Sequence, residues 1–282
     1  MCAQPKPSAV QRSEVTCRYG SRNPDSPIPM SIAITRAVPA SIVRCELTHL
    51  QREPIDLGRA RAEHARLESL LVELGLELRR LPQAPDMPDS VFVDDMAVVL
   101  DEIAVLTRSG APSRHAELES VEELLRPLRP LSRIEAPGTM DGGDVLVLDR
   151  EIVVGLTTRT NPSGVAQLRH YAAPYGYSVR TVPVRGCLHL QSAVTPVGRR
   201  SLLANPAWAS PGDFPEWDVI ETHASEPFGA NAILVGEIVV YPEAHVRTRE
   251  RLEAAGCRVR TVPAGELAKA EGGVTCCALM VR

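Results

Sequence analysis

The chain has 282 residues, 44% of them hydrophobic and 23% charged, with a net charge of −4. That supplies one large core or two smaller ones. The mildly acidic balance and an aromatic content of 4% speak against a basic or base-stacking nucleic-acid surface, and no apolar run is long enough to span a bilayer.

Residues 1–30 are rich in Pro, Ser and Arg and show no periodicity. They are expected to be a disordered or non-native extension, with Met30 as the true initiator and residues 31–282 as a single catalytic domain. The seven cysteines, Cys2, Cys17, Cys45, Cys187, Cys257, Cys276 and Cys277, are odd in number and irregular in spacing. They read as reduced thiols of a cytoplasmic protein, without a disulfide frame and without the spacing of a zinc site.

Ile32–Val38 alternates like a first strand. Asp56 can cap a helix whose apolar residues fall at three- and four-residue steps through Ala60, Leu67, Leu70, Leu71 and Leu74, ending at Gly75. His64 on this helix is assigned no chemistry. From residue 76 a unit recurs: a strand ended by Pro, a polar loop, an apolar hairpin and a helix. It runs through 76–82, 87–95 and 97–106, with Ser113 expected to cap the helix that carries Leu118, Val121, Leu124 and Leu125. It returns at 132–137, 138–144 and 145–154, followed by a helix opened by Asn161-Pro162. It returns again at 178–183, 184–191 and 193–204, with a broken helical region at 205–217. A further copy spans 218–223, 224–231 and 233–240, with a helix ending at Gly256. The last copy, from Cys257, stops after the apolar run Cys276–Val281, which reads as a buried strand. It lacks a second hairpin strand and a helix, and the N-terminal strand and helix can supply both. The expected architecture is a repeat fold closed into a ring, a five-bladed α/β propeller with its loops at the hub.

Those loops carry Asp89, Asp94, Asp95, Asp141, Asp144, His189, Asn231 and Cys276. Singly, each is an ordinary turn or core residue. At equivalent positions of a repeat they converge, and a thiol, an imidazole and an acid form a nucleophile, an acid/base and its orienting partner. If a strand began at Cys276, Cys276 and Cys277 would face opposite sides, one to the pocket and one to the core. The other hub loops offer carboxylates, not cations, so the thiol gains little help toward ionisation from the protein. A cationic substrate held by aspartates resolves this, and a guanidinium brings both the charge and an electrophilic carbon.

The segments MPDSVFVDDMAVV, LTRSGAPSR, TMDGGDVL, VGLTTRTN, CLHLQSAV and GGVTCC, in that order, resemble the dimethylarginine dimethylaminohydrolases of the pentein superfamily, from about residue 31 to the end. The resemblance implies Cys276 as nucleophile, His189 as general acid/base and Asp141 as its acidic partner. It implies Asp95 with Asp94 at the guanidinium, and Asp89, Arg114 and Arg159 at the amino-acid end, where arginines can clamp a carboxylate. It further implies hydrolysis of a methylated arginine to citrulline and a methylamine through a Cys-thiouronium, with no cofactor and no metal. The family usually has Glu-Asp where this chain has Asp94-Asp95. Cys45–His49 falls where the family has a mobile lid, with His49 expected to be an ordinary loop residue. Other readings stay open: an arginine deiminase-like or amidinotransferase-like pentein, or a silent binder of arginine analogues. The oligomeric state is open too, a homodimer being one option.

Overall fold

Ile32–Thr35 is buried along its whole length, as a short apolar run covered on both faces must be. This strand, β1, is the first element of the computed structural model, which describes residues 31–282. Cys2, Cys17, Met30 and the expected extension lie outside the described residues. The chain leaves β1 through helix α1 (Leu57–Glu73) and returns as β2 (Glu77–Arg80), parallel to β1. Asp56 caps α1 by accepting the Arg59 amide, and Ala60, Leu67, Leu70 and Leu71 form its buried stripe.

The same crossover recurs around the molecule. β3 (Ala97–Val99) and β4 (Ala104–Leu106) form a hairpin, and α2 (Leu118–Leu125) leads to β5 (Leu131–Arg133), parallel to β4. β6 (Val145–Leu148), β7 (Glu151–Leu156), α3 (Pro162–Ala172) and β8 (Ser178–Pro183) repeat the arrangement. After the single turn α4 (Leu190–Ala193) come β9 (Val194–Gly198), β10 (Ser201–Ala204) and β11 (Asp218–Glu221). β12 (Ile233–Val235), β13 (Ile238–Pro242), α5 (Val246–Ala254) and β14 (Arg258–Val262) follow. After α6 (Gly265–Ala268), β15 (Leu279–Val281) pairs antiparallel with β1, setting Ile32 opposite Val281 and Ile34 opposite Leu279. The last strand therefore completes the first sheet, and five three-stranded sheets close the ring expected from the repeat.

Five apolar cores lie at the junctions between successive sheets. In one, Ile32, Ile34 and Leu279 meet Met96, Leu106, Val121 and Leu125. Leu70, Leu71, Val121, Leu125, Leu168 and Leu252, from four different helices, are all fully buried. Each such side chain contributes about 1.5–3 kcal/mol by burial. The crossover from β10 to β11 has no long helix, only a 3₁₀ turn at Pro211–Asp213. Phe214 fills that junction together with partly buried Trp208 and Trp217. Both tryptophans of an aromatic-poor chain thus sit where a helix is missing.

Two local expectations are corrected. Ser113 does not cap α2: Pro112–Glu117 is a 3₁₀ segment, and the Ser113 hydroxyl donates instead to Glu46. The closing strand does not start at Cys276, because Thr275–Cys277 is a single 3₁₀ turn and the strand begins at Leu279. The alternation assumed for the two cysteines does not apply there, and both are buried.

Candidate active site

Four of the five antiparallel strand pairs are entered through one tight helical turn: Val93–Met96 before β3, Gly142–Asp144 before β6, α4 before β9 and Thr275–Cys277 before β15. Asn231 stands in the corresponding place before β12. Such turns are short enough to meet at the hub, and each delivers one polar side chain there. The turn at Val93–Met96 touches both the Gly142–Asp144 and the Thr275–Cys277 turns.

Cys276, His189, Asp95, Asp89, Arg114 and Arg159 line one cleft at the hub, together with Glu46, Phe92, Leu188, Glu271 and Gly272. Its free volume is about 20 Å³, room for roughly one water molecule. Glu46, which follows the 3₁₀ turn Ala40–Arg44, covers part of this cleft.

The His189 Nε2–H donates to Asp141 Oδ2 at 3.1 Å, while Nδ1 lies 3.7 Å from Asp95 Oδ1. Burial disfavours the imidazolium, but Asp95, Asp141 and Asp144 outweigh it and raise His189 to about 9. Burial also opposes the Asp141 carboxylate, yet the His189 hydrogen bond and charge bring it below the ordinary range. Asp141 in turn accepts the Gly110 amide at 3.2 Å. Burial first, then Asp95 and Asp94, push the Cys276 thiol up to about 12. The Cys276 Sγ accepts the Gly273 amide at 3.3 Å. Asn231 fixes this turn by accepting the Thr275 amide at 3.1 Å and donating to the Thr275 hydroxyl at 2.7 Å.

Arg114 donates to Asp95 Oδ2 at 2.5 Å and to Glu117 at 2.9 Å, and also to the carbonyls of Phe92 and Asp89. Burial opposes its charge, but Glu117 and Asp95 raise it well above its ordinary value. Arg159 lies 3.7 Å from Glu46 and 4.0 Å from Asp141. Asp89 accepts the Glu46 amide at 3.3 Å, and burial raises its carboxyl. Ligand atoms of Asp95, Asp141 and His189 fall within 4.8 Å of one another. With Arg114 already on Asp95 and His189 held protonated at neutral pH, the three do not offer the deprotonated ligand set that a metal ion needs.

Asp94 stands apart from the cleft. Its carboxyl accepts the Gln191 side-chain amide at 2.9 Å and lines a cavity formed by the first strand of every hairpin. Burial, then the Asp95 charge, raise it to about 8. Asp144 is a scaffold residue, accepting from Thr157 at 2.6 Å, Thr160 at 2.7 Å and the Leu190 amide at 3.1 Å. Glu46, Glu117, Gln191 and Glu271 were not singled out in the sequence. Glu271 had a signal in its neighbours: it precedes Gly272, where a Cβ would lie 2.1 Å from the Phe92 ring.

A ring of five such sheets with a cysteine, a histidine and acidic side chains at its hub is the arrangement of the pentein superfamily. No family model matches the chain. It is 36% identical over 258 residues to an N(G),N(G)-dimethylarginine dimethylaminohydrolase of Streptomyces coelicolor, covering 90% of this chain and 98% of that one. It is 34% identical over 226 residues to the enzyme of the same name from Pseudomonas aeruginosa, covering 79% of this chain and 89% of that one. A solved structure of the Pseudomonas aeruginosa protein in complex with citrulline superposes with a TM-score of 0.84 at 32% identity, over 88% of this chain and 98% of that one. The chain belongs to the dimethylarginine dimethylaminohydrolase family.

Proposed function

We propose that residues 31–282 form one catalytic unit that hydrolyses Nω-methylated arginine to citrulline and methylamine or dimethylamine. The observation that carries this reading is the meeting of Cys276, His189 and Asp95 in one cleft that Asp89, Arg114 and Arg159 also line. The citrulline complex of the Pseudomonas relative supports it.

Burial, reinforced by the charges of Asp95 and Asp94, keeps the Cys276 thiol protonated in the free protein. A guanidinium docked beside Asp95 supplies the missing positive charge, and the thiol gives its proton to solvent water as the cation settles. The sulfur then attacks the guanidinium carbon, forming a C–S bond. His189, raised to about 9, is protonated at neutral pH and delivers that proton to the departing amine as the C–N bond breaks. Its Nδ1 is the nitrogen turned toward Asp95, while Asp141 holds Nε2. The neutral imidazole then takes a proton from water, which attacks the thiouronium carbon. The C–S bond then breaks, the sulfur takes up the proton of the added hydroxyl to become a thiol again, and citrulline leaves with His189 recharged. No step calls for a cofactor. Asp89, Arg114 and Arg159 serve the α-ammonium and α-carboxylate, and Asp94 acts on the guanidinium through its neighbour Asp95.

The test is incubation with asymmetric dimethylarginine, monomethylarginine and arginine, with assay of citrulline and the released amine. Citrulline with methylated amine from the first two is expected. Citrulline from arginine alone would assign a deiminase instead, and none from any of the three a binder.

A further inference from the structure

The two arginines of the cleft are engaged very differently. Arg114 is spent on the protein: its side chain donates to Asp95, to Glu117 and to the carbonyls of Asp89 and Phe92. Arg159 is nearly as deep, with 9% of its side chain exposed against 5% for Arg114. Yet among the described residues its guanidinium makes no hydrogen bond, and its carboxylate neighbours are Glu46 at 3.7 Å and Asp141 at 4.0 Å. Both stand beyond hydrogen-bond length. A buried guanidinium without an acceptor is costly, and a carboxylate that met it edge to edge would satisfy it with two parallel bonds.

Asp141 is not free to be that carboxylate, because its Oδ1 accepts the Gly110 amide and its Oδ2 accepts from His189. Glu46 is free to move, with 43% of its side chain exposed. Two contacts aim it at the cleft: the Ser113 hydroxyl donates to its Oε1, and its own amide donates to Asp89. Its Oε2 is left facing Arg159. Glu46 thus stands in for an anion on Arg159 by charge alone, without the hydrogen bonds that an incoming carboxylate could make. We propose that Glu46 competes with the α-carboxylate of the substrate for Arg159, and so sets how strongly the protein prefers guanidino compounds that carry that carboxylate over those that lack it. The inference rests on the hydrolase reading above and names a residue that tunes its substrate class. A guanidino amino acid must displace Glu46 to reach Arg159. A guanidino amine without the carboxylate leaves the pair in place.

The experiment measures KM for asymmetric dimethylarginine and the inhibition constant of its decarboxylated analogue, Nω,Nω-dimethylagmatine, in the wild type and in Glu46→Gln. Glutamine keeps the shape and removes the charge. A half-exposed ion pair is weak, so KM for dimethylarginine should fall by about two- to fivefold, with kcat within about twofold of the wild type. The inhibition constant of dimethylagmatine should not fall. In an Arg159→Ala background, Glu46→Gln should no longer lower KM, because the competition has lost its object. A KM that stays or rises in an active Glu46→Gln would overturn the inference alone. So would an equal fall for both ligands, which would mark Glu46 as a mere cover, and so would a fall that persists without Arg159. No citrulline from dimethylarginine in the wild type would overturn the hydrolase reading and, with it, this inference.

Discussion

The α-carbon of Gly143 packs directly on the His189 ring: a Cβ there would lie 2.7 Å from Nδ1 and 2.8 Å from Asp95 Oδ1. The same residue donates its amide to Asp95 Oδ1 at 3.1 Å. Gly143→Ala should therefore push the imidazole out of place while leaving the sheets intact. A displacement of about 1 Å costs on the order of 100-fold in rate. Steady-state kinetics should show kcat falling by that order, with the circular dichroism spectrum and melting temperature little changed. Unaltered kcat would mean that His189 has slack the packing does not suggest.

The Cys276 thiol, pushed up to about 12 by burial and by Asp95 and Asp94, is unreactive until a cation arrives. Alkylation of Cys276 by iodoacetamide should be slow at pH 7 and accelerate when a small guanidinium or amidinium compound is added. Mass spectrometry of the Cys276 peptide reads this out. Cys276→Ser should abolish turnover yet bind substrate. Cys277→Ser should keep most activity, because Cys277 donates only to the Gly273 carbonyl, and a hydroxyl can do the same. Loss of activity in the second variant alone would reverse the two assignments.

Asp94 and His189 make stability depend on pH in the same direction. Both have folded values above their ordinary ones, about 8 against 3.8 and about 9 against 6.5. The folded state thus holds extra protons, and this contribution is complete below the ordinary values and lost as pH climbs through 8 and 9. Melting temperature should fall from pH 6.5 to pH 9.5. Asp94→Asn, which cannot ionise, should flatten the part of that decline below pH 8, by up to about 1.4 kcal/mol for each pH unit between 6.5 and 8. The same variant should leave KM nearly unchanged if Asp94 acts through Asp95; a large rise in KM would place its carboxyl on the substrate.

Glu271 latches the segment over the cleft. Its carboxylate accepts the amides of Thr48, His49 and Leu50, at 3.0, 2.5 and 2.5 Å. It does so from a left-handed backbone, φ 58°, which costs a side-chain-bearing residue about 1 kcal/mol or more. Glu271→Gly removes that strain along with the latch. Charged hydrogen bonds contribute about 1.5–3 kcal/mol each where they are buried and less in the open. KM should rise roughly tenfold, and limited proteolysis should cut between 44 and 53 faster than in the wild type. Proteolysis at the wild-type rate would show that the segment is held by other contacts.

The ring was legible because it depends on counting. Apolar hairpins recur between polar loops, and a last copy short of one strand points back to Ile32–Thr35. The cap at Asp56 and the Asn161-Pro162 helix start were legible because both are local. Ser113 was misread because Pro112–Glu117 follows the demands of Arg114, whose partners Asp95 and Glu117 lie on two segments. The turn at Thr275–Cys277 looked like strand because its residues are apolar, and a three-residue 3₁₀ turn leaves no period to read. The placement of Asp94 against Gln191, and that of Glu46 against Arg159, depend on which loops face each other, and a linear pattern carries no trace of that.

Because β15 pairs with β1, the sheet that supports the Cys276 turn is assembled from the two ends of the described chain. On a translating ribosome, Leu279–Val281 emerge after the fourteen other strands of the described residues. The aspartates and His189 can be in position before then, but the sulfur cannot. The nucleophile is thus set in place by the pairing of β15 with β1, and a chain cut before Cys276 lacks the atom that reacts at the hub.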